Sequence, residues 1–308
     1  MNAPAQAGAL GRLVNAPALR SAAALRRLAV GSVVVNVLIV ITGGVVRLTD
    51  SGLGCPTWPT CTDDSLVPTS ANAGHAVVEF GNRMLTFVVA FFVLATWVVS
   101  MLRRQERTLA TLAACSIPAQ AVLGGITVRT HLNPWLVAAH FMLSMAILFV
   151  TFWLWWRVRL AAPYVDAGAA PRLLVRLTVL VSLATLVIGT LVTGAGPHAG
   201  DTDTSGKVHR IGLRVSSMAQ LHADTVMVLI GLSVGVLLLV QALRLGREIR
   251  TACAVLIGVE LAQGIIGYTQ YFLHVPPALV ALHMFGACTV WLAALNVLGS
   301  VEKKARTS

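Results

Sequence analysis

The chain has 308 residues, 56% of them hydrophobic and 11% charged, with a mean hydropathy of +0.79. A soluble domain carries about 25% charged residues, so these proportions exclude a soluble globule and indicate an integral membrane protein. The net charge of +11 does not point to nucleic acid, because Lys and Arg fall in alternate segments and form no single basic patch.

An Ala-rich basic arm, residues 1–27, comes first and lacks the small-residue cleavage site of a secretory signal peptide. Eight apolar runs follow, each about long enough to cross a bilayer as a helix. They are residues 28–46, 79–101, 109–128, 135–156, 173–193, 218–242, 251–271 and 278–299. The expected fold is all-α, with eight transmembrane helices. Of 23 basic residues, 17 lie in the arm, the tail and the second, fourth and sixth connections, among them Arg103, Arg104, Arg157, Arg159, Arg244 and Arg247. The positive-inside rule makes that side cytoplasmic, which predicts a multi-pass protein of the cell membrane with both termini inside.

The first and fifth connections, long and rich in Gly, Pro and Thr, then face out. Cys55 and Cys61 share "CPTWPTC" in the first of them, an oxidising location in which a disulfide is the natural pairing. A zinc site would need a second pair or a nearby His, and neither completes a four-ligand set. Cys115, Cys253 and Cys288 lie within spans and read as inert core residues. The cluster "FWLWW" at 152–156 reads as an interfacial aromatic anchor.

Residues 119–140, AQAVLGGITVRTHLNPWLVAAH, align without a gap to residues 262–283, AQGIIGYTQYFLHVPPALVALH, and match at nine of 22 positions. Leu, Val and Ala matches are expected between apolar runs; a matched Gln, Pro and two His are not. The repeat spacing is about half the chain, so four spans are duplicated in the same orientation. The expected domains are a first four-helix bundle at 28–156, a cytoplasmic linker at 157–172, a second, pseudo-symmetric bundle at 173–299 and a cytoplasmic tail at 300–308.

His140, His222 and His283 each fall in the first turns after the chain enters from the outer face, so they share one depth. His140 and His283 are repeat equivalents. A lone histidine in a span is as readily a hydrogen-bonded core residue as a ligand, but three at one depth favour ligands. Paired imidazoles in apolar bundles hold b-type haem, and His222 with His283 form such a pair. In the first half the position matching His222 is Asn82, a poor iron ligand. His75, Glu79 and Asn82 share one helix face at spacings of four and three. His75 is a candidate substitute ligand; Glu79 is a proton acceptor, a carboxylate ligand or an ion-pair partner of Arg83. His131 and His274, also repeat equivalents, read as loop residues. His198, His209, Lys207, Arg210 and Arg214 form a basic loop cluster that reads either as a partner of haem propionates or as a solvated loop.

Together "GGVVRLTDSGLGCPTWPTC" at 43–61, "VEFGNRM" at 78–84, "TGAGPHAGD" at 193–201 and "AQLHAD" at 219–224 resemble the haem A synthase family, from the first span to the eighth. That family oxidises the C8 methyl group of haem O to the formyl group of haem A for cytochrome c oxidase assembly. The resemblance implies a haem b in one half, with His222 and His283 as its ligands, and the substrate haem O in the other, with His140 as a ligand. It implies that Glu79 is the glutamate of the family's Glu-x-x-His motif, whose His is Asn82 here, and that Cys55 and Cys61 are its outer-loop cysteine pair, tied to haem transfer or electron input. Haem sites toward the outer face follow. Implied partners are haem O synthase, the oxidase assembly pathway, an unidentified electron donor and the bilayer; a homo-oligomer is compatible. The alternative function is a non-enzymatic di-haem b-type cytochrome. A transporter ranks behind it, because the polar residues gather in the outer third rather than at the midplane.

Overall fold

All eight apolar runs are helical in the computed structural model, which describes residues 21–68, 73–159, 166–200 and 209–302. The described residues form eight helices and no strand: α1 (Ala22–Leu48), α2 (Ala73–Arg103), α3 (Arg107–Arg129), α4 (Pro134–Val158), α5 (Ala169–Ala195), α6 (Val215–Ala242), α7 (Arg247–Phe272) and α8 (Pro277–Val301). Each is long and apolar enough to cross a membrane, so this is a multi-pass membrane protein. Ser21 caps α1 by accepting the Ala24 N–H at 3.0 Å, so Arg26 and Arg27, expected in the arm, lie in the first turns of the helix. The rest of the arm and the residues of the tail after Glu302 lie outside the described residues. The matched Pro134 and Pro277 open α4 and α8, where proline's missing N–H has no partner to lose.

Within the first half α1 packs on α2 and α4, and α3 packs on α2 and α4, closing a four-helix ring. The second half has the same pattern: α5 on α6 and α8, α7 on α6 and α8. The halves meet through α4 on α8, α1 on α8 and α4 on α5. One buried cluster at this seam contains Val40, Met145, Leu148, Phe152, Leu186, Cys288, Trp291 and Leu295. In repeat register these residues pair off, Met145 with Cys288, Leu148 with Trp291 and Phe152 with Leu295. The Trp291 indole N–H donates to Met145 O at 3.0 Å across the seam.

"FWLWW" packs here rather than forming a lipid-facing belt. Phe152 is buried, the Trp156 ring covers Gly299 of α8, and the Arg159 guanidinium lies 3.3 Å from the centre of that ring.

The backbone is compatible with the duplication. His131 and Leu132 end the α3–α4 turn at φ 50° and 56°; His274 and Val275 end the α7–α8 turn at φ 61° and 63°. Non-glycine residues rarely adopt this left-handed region, so the match is specific. Arg104 and Arg244 share the same feature at φ 54° and 50°. Equivalent hydrogen bonds close both turns, Gln105 N–H to Ser100 O and Leu245 N–H to Val240 O, at 3.1 and 3.0 Å. Counting back from these turns along α2 and α6 pairs Val93 with Ser233 and Asn82 with His222.

Candidate functional site

His140 on α4, His222 on α6 and His283 on α8 each lie in the second turn of their helix, at the end of the molecule that carries the Cys55–Cys61 loop. Each imidazole faces a glycine on a neighbouring helix: Gly124 on α3, Gly189 on α5 and Gly267 on α7. A Cβ built on those glycines would come within 3.2, 3.2 and 3.3 Å of the ring Cε1 atoms, so the missing side chain is what admits the ring. Gly124 and Gly267 are the matched glycine of the sequence repeat. The matched Gln also acquires a purpose: the Gln263 amide donates to His283 O at 2.6 Å, and the Gln120 amide reaches His140 O at 3.5 Å and Ser144 Oγ at 2.8 Å.

Nδ1 of His140 and of His283 is buried with no hydrogen-bond partner, while the His222 ring has the Thr185 backbone within reach. Leaving a buried polar atom unpaired costs about 1–3 kcal/mol, so His140 and His283 are not fully satisfied core residues. His222 and His283 face each other with ring centroids 6.3 Å apart. A metal–imidazole bond of about 2 Å puts a metal about 3 Å from a ring centre, so two rings flanking one metal lie about 6 Å apart. The pair therefore fits a metal held between two imidazoles, as in bis-imidazole haem. Among the described residues no three of His, Cys, Asp and Glu gather into a group that could hold a metal ion.

The first half differs at one residue. Asn82 faces Gly43 of α1 as His222 faces Gly189 of α5, and its side-chain carbonyl accepts the Thr42 hydroxyl at 2.7 Å. His75, Glu79 and Asn82 share a helix face but have separate partners. His75 is exposed, with Nδ1 3.1 Å from Ser51 Oγ. Glu79 is buried; its Oε1 pairs with Arg83, 3.0 Å from Nε, and its Oε2 accepts the Cys55 N–H at 2.7 Å.

Cys55 and Cys61 are joined by a disulfide, and the loop around it is held by α2 and α3 together. Arg83 donates to the carbonyls of Cys55, Thr57 and Thr60 at 3.0–3.1 Å. On the other side the Trp58 indole lies over Gly125, and Arg129 donates to Trp58 O at 3.3 Å. The loop thus spans from α2 to the turn of α3 that faces His140.

His131 and His274 are exposed in their turns. His198 Nε2 lies 2.9 Å from Val275 O, and Arg47 Nε donates to His198 O at 2.6 Å. His209, Arg210 and Arg214 are exposed, while Lys207 lies outside the described residues. Cys253 and Cys288 are buried, but Cys115 is exposed on the helix surface, so it is not a core residue. Sequence reading did not find Gly43, Gly189, Thr42, Arg47 or Trp58, because nothing in their local pattern announces what they face. Gly124 and Gly267 did carry a signal, their match in the repeat.

The sequence pattern of the COX15-CtaA family, cytochrome oxidase assembly protein, matches residues 26–295. The chain is similar to the "Heme A synthase" of Lysinibacillus sphaericus, 35% identical over 126 residues that make up 39% of this chain and 40% of that protein. It is similar to that of Geobacillus thermodenitrificans at 29% over 114 residues, 36% and 35% of the two chains. The "Heme A synthase" of Geobacillus kaustophilus matches at 31% over 114 residues, with the same shares. The matched region thus spans about two fifths of the length of these curated relatives or less.

Proposed function

Because the chain belongs to the COX15-CtaA family of cytochrome oxidase assembly proteins, we propose that it is a haem A synthase, a membrane oxidoreductase converting the C8 methyl group of haem O to a formyl group. The change is a four-electron oxidation: hydroxylation of the methyl group, a second oxidation to a gem-diol, then loss of water. A methyl C–H bond has no acidity for Glu or His to exploit, so a redox cofactor is required. When bound, haem b supplies one-electron transfer. The product serves cytochrome c oxidase, with haem O delivered by haem O synthase.

The observation that carries this reading is the facing His222–His283 pair, with ring centroids 6.3 Å apart and each ring set against a glycine of the neighbouring helix. These two residues would hold haem b in the second half, residues 173–299. His140 is the ligand of the substrate haem in the first half, residues 28–156. Asn82 and His75 are further contacts along that wall. Glu79 handles a proton or orients the substrate there, and Arg83 and the Cys55 N–H fix its carboxylate for that role. The positive-inside pattern puts the haem sites toward the outer face and the termini in the cytoplasm. A di-haem cytochrome would be served by two equal imidazole pairs, and Asn82 argues against the second.

Co-expression with haem O synthase, followed by chromatography of extracted haems, tests the activity. Haem A or its hydroxylated precursor is expected, and the absence of both would defeat the reading. His222→Ala and His283→Ala should each abolish the low-spin bis-imidazole spectrum; a normal spectrum in both would remove the ligand assignment.

A further inference from the structure

Glu260 lies at the middle of α7, 2% exposed, in the interior of the second bundle. Among the described residues its hydrogen-bond partner is Ser233 of α6, itself 1% exposed, whose hydroxyl donates to Oε1 at 2.8 Å. Oε2 is buried with no partner. Glu260 and Gly267 are seven residues apart, hence on one face of α7 and about 10 Å apart along its axis. Gly267 touches the His283 ring, so Glu260 sits two turns beneath the imidazole pair, on the side away from the disulfide loop.

The fold does not require an acid there. The repeat register pairs Glu260 with Ile117, three residues before the matched Gln, and Ser233 with Val93. In the first half those two residues pack together in one apolar cluster. The duplicated bundle thus closes the same space with hydrocarbon, and the second half alone carries a carboxyl and a hydroxyl. Intramembrane carboxyls are expensive and usually mark proton or ion sites.

The ionisable groups of the two helices packed against α7 are His222 and Asp224 on α6 and His283 and Cys288 on α8; Asp224 is bound by Gln220. On α7 itself Arg247, Glu248, Arg250, Cys253, Tyr268 and Tyr271 all lie about two turns away or more. No protein cation pairs with Glu260 among the described residues.

We propose that Glu260 is the proton-binding site of the second half: its carboxylate takes up one proton when an electron enters the haem b held by His222 and His283, and releases it when the electron leaves. This rests on the haem b assignment above. One electron from a one-electron reductant reduces the iron; one proton from water forms an O–H bond on Glu260; no bond to iron changes. The coupling follows from low dielectric: a ferric haem core with two neutral imidazoles carries one net positive charge that stabilises a nearby carboxylate, and reduction removes it. Ser233 serves both states, since a hydroxyl donates to the carboxylate and accepts from the acid.

The test is a spectroelectrochemical titration of the haem-loaded, full-length protein in lipid nanodiscs between pH 6 and 9, with reduced-minus-oxidised infrared spectra. The wild-type potential is expected to fall by about 59 mV per pH unit, the one-electron equivalent of a tenfold change in proton concentration. Glu260→Gln should flatten this slope and remove the carboxylic acid band from the difference spectrum. Glu260→Ile with Ser233→Val reproduces the pair that the first half already packs, so it should fold, keep the bis-imidazole spectrum and show a pH-independent potential. A slope that persists in both variants, or a wild type with neither slope nor band, overturns the proposal. An unchanged spectrum in both His222→Ala and His283→Ala would instead defeat the ligand assignment, while the infrared band and its loss would still judge Glu260.

Discussion

Asn82 stands in the first half where His222 stands in the second, and its carbonyl is already engaged by the Thr42 hydroxyl. On the proposed function, a single imidazole, His140, would suit a haem that must arrive and leave, and two would suit a haem that stays. Asn82→His should therefore create a second bis-imidazole signal and slow haem O exchange about tenfold, which needs only about 1.4 kcal/mol of added ligation. His75 lies about 10 Å outward along α2 from Asn82, and His75→Ala should leave the iron spectra unchanged. The glycines admit a sharper test. A Cβ on Gly267 would press on His283 at 3.3 Å, so Gly267→Ala asks for a small shift, while Gly267→Val puts two methyl groups against the ring. Haem b loading should survive the first substitution and be lost in the second, read as haem per protein. If Gly267→Val bound haem normally, the glycine would not be what admits the ring.

The disulfide loop is held to α2 by one ion pair with many duties. Arg83 pairs with Glu79 and donates to three loop carbonyls, while Glu79 accepts the Cys55 N–H. Arg83→Ala leaves a buried carboxylate unpaired and should cost about 3–5 kcal/mol, seen as a lowered melting temperature and faster reduction of Cys55–Cys61 by dithiothreitol. Glu79→Gln with Arg83→Met removes both charges and should cost less than the sum of the single changes. Additive losses would mean that the two side chains do not act as a pair. The sequence announced the helices here and the cysteine pair, because a bilayer demands length and apolarity and an oxidising face favours the disulfide. It could not announce the latch. The partners of Arg83 are backbone carbonyls of Cys55, Thr57 and Thr60, which leave no side-chain pattern to read. The placement of Trp58 on Gly125 is equally silent, because a lone glycine in an apolar run has many uses.

The duplication joins these parts. It was read from the matched Gln, Gly, Pro and His, and the left-handed turns at His131 and His274 are compatible with it. What remained hidden is where the halves meet, since the seam residues are apolar like the lipid-facing ones and composition cannot separate them. In the bilayer, association rests on close packing and on satisfied polar groups rather than on the hydrophobic effect. Trp291 combines both: it is buried in the seam, and its N–H is bonded to Met145 O in the other half. Its repeat counterpart, Leu148, fills the corresponding place without a donor. Trp291→Leu would make the two halves alike there, open a void and leave the Met145 carbonyl with its helical bond alone. A loss of about 2–4 kcal/mol is expected, below the full cost of truncation to alanine, and it should appear as a drop in melting temperature in detergent. The His222–His283 signal should persist below that temperature, because the imidazole pair lies within the second bundle. A variant that melts as the wild type does would show that the seam is not held by this residue.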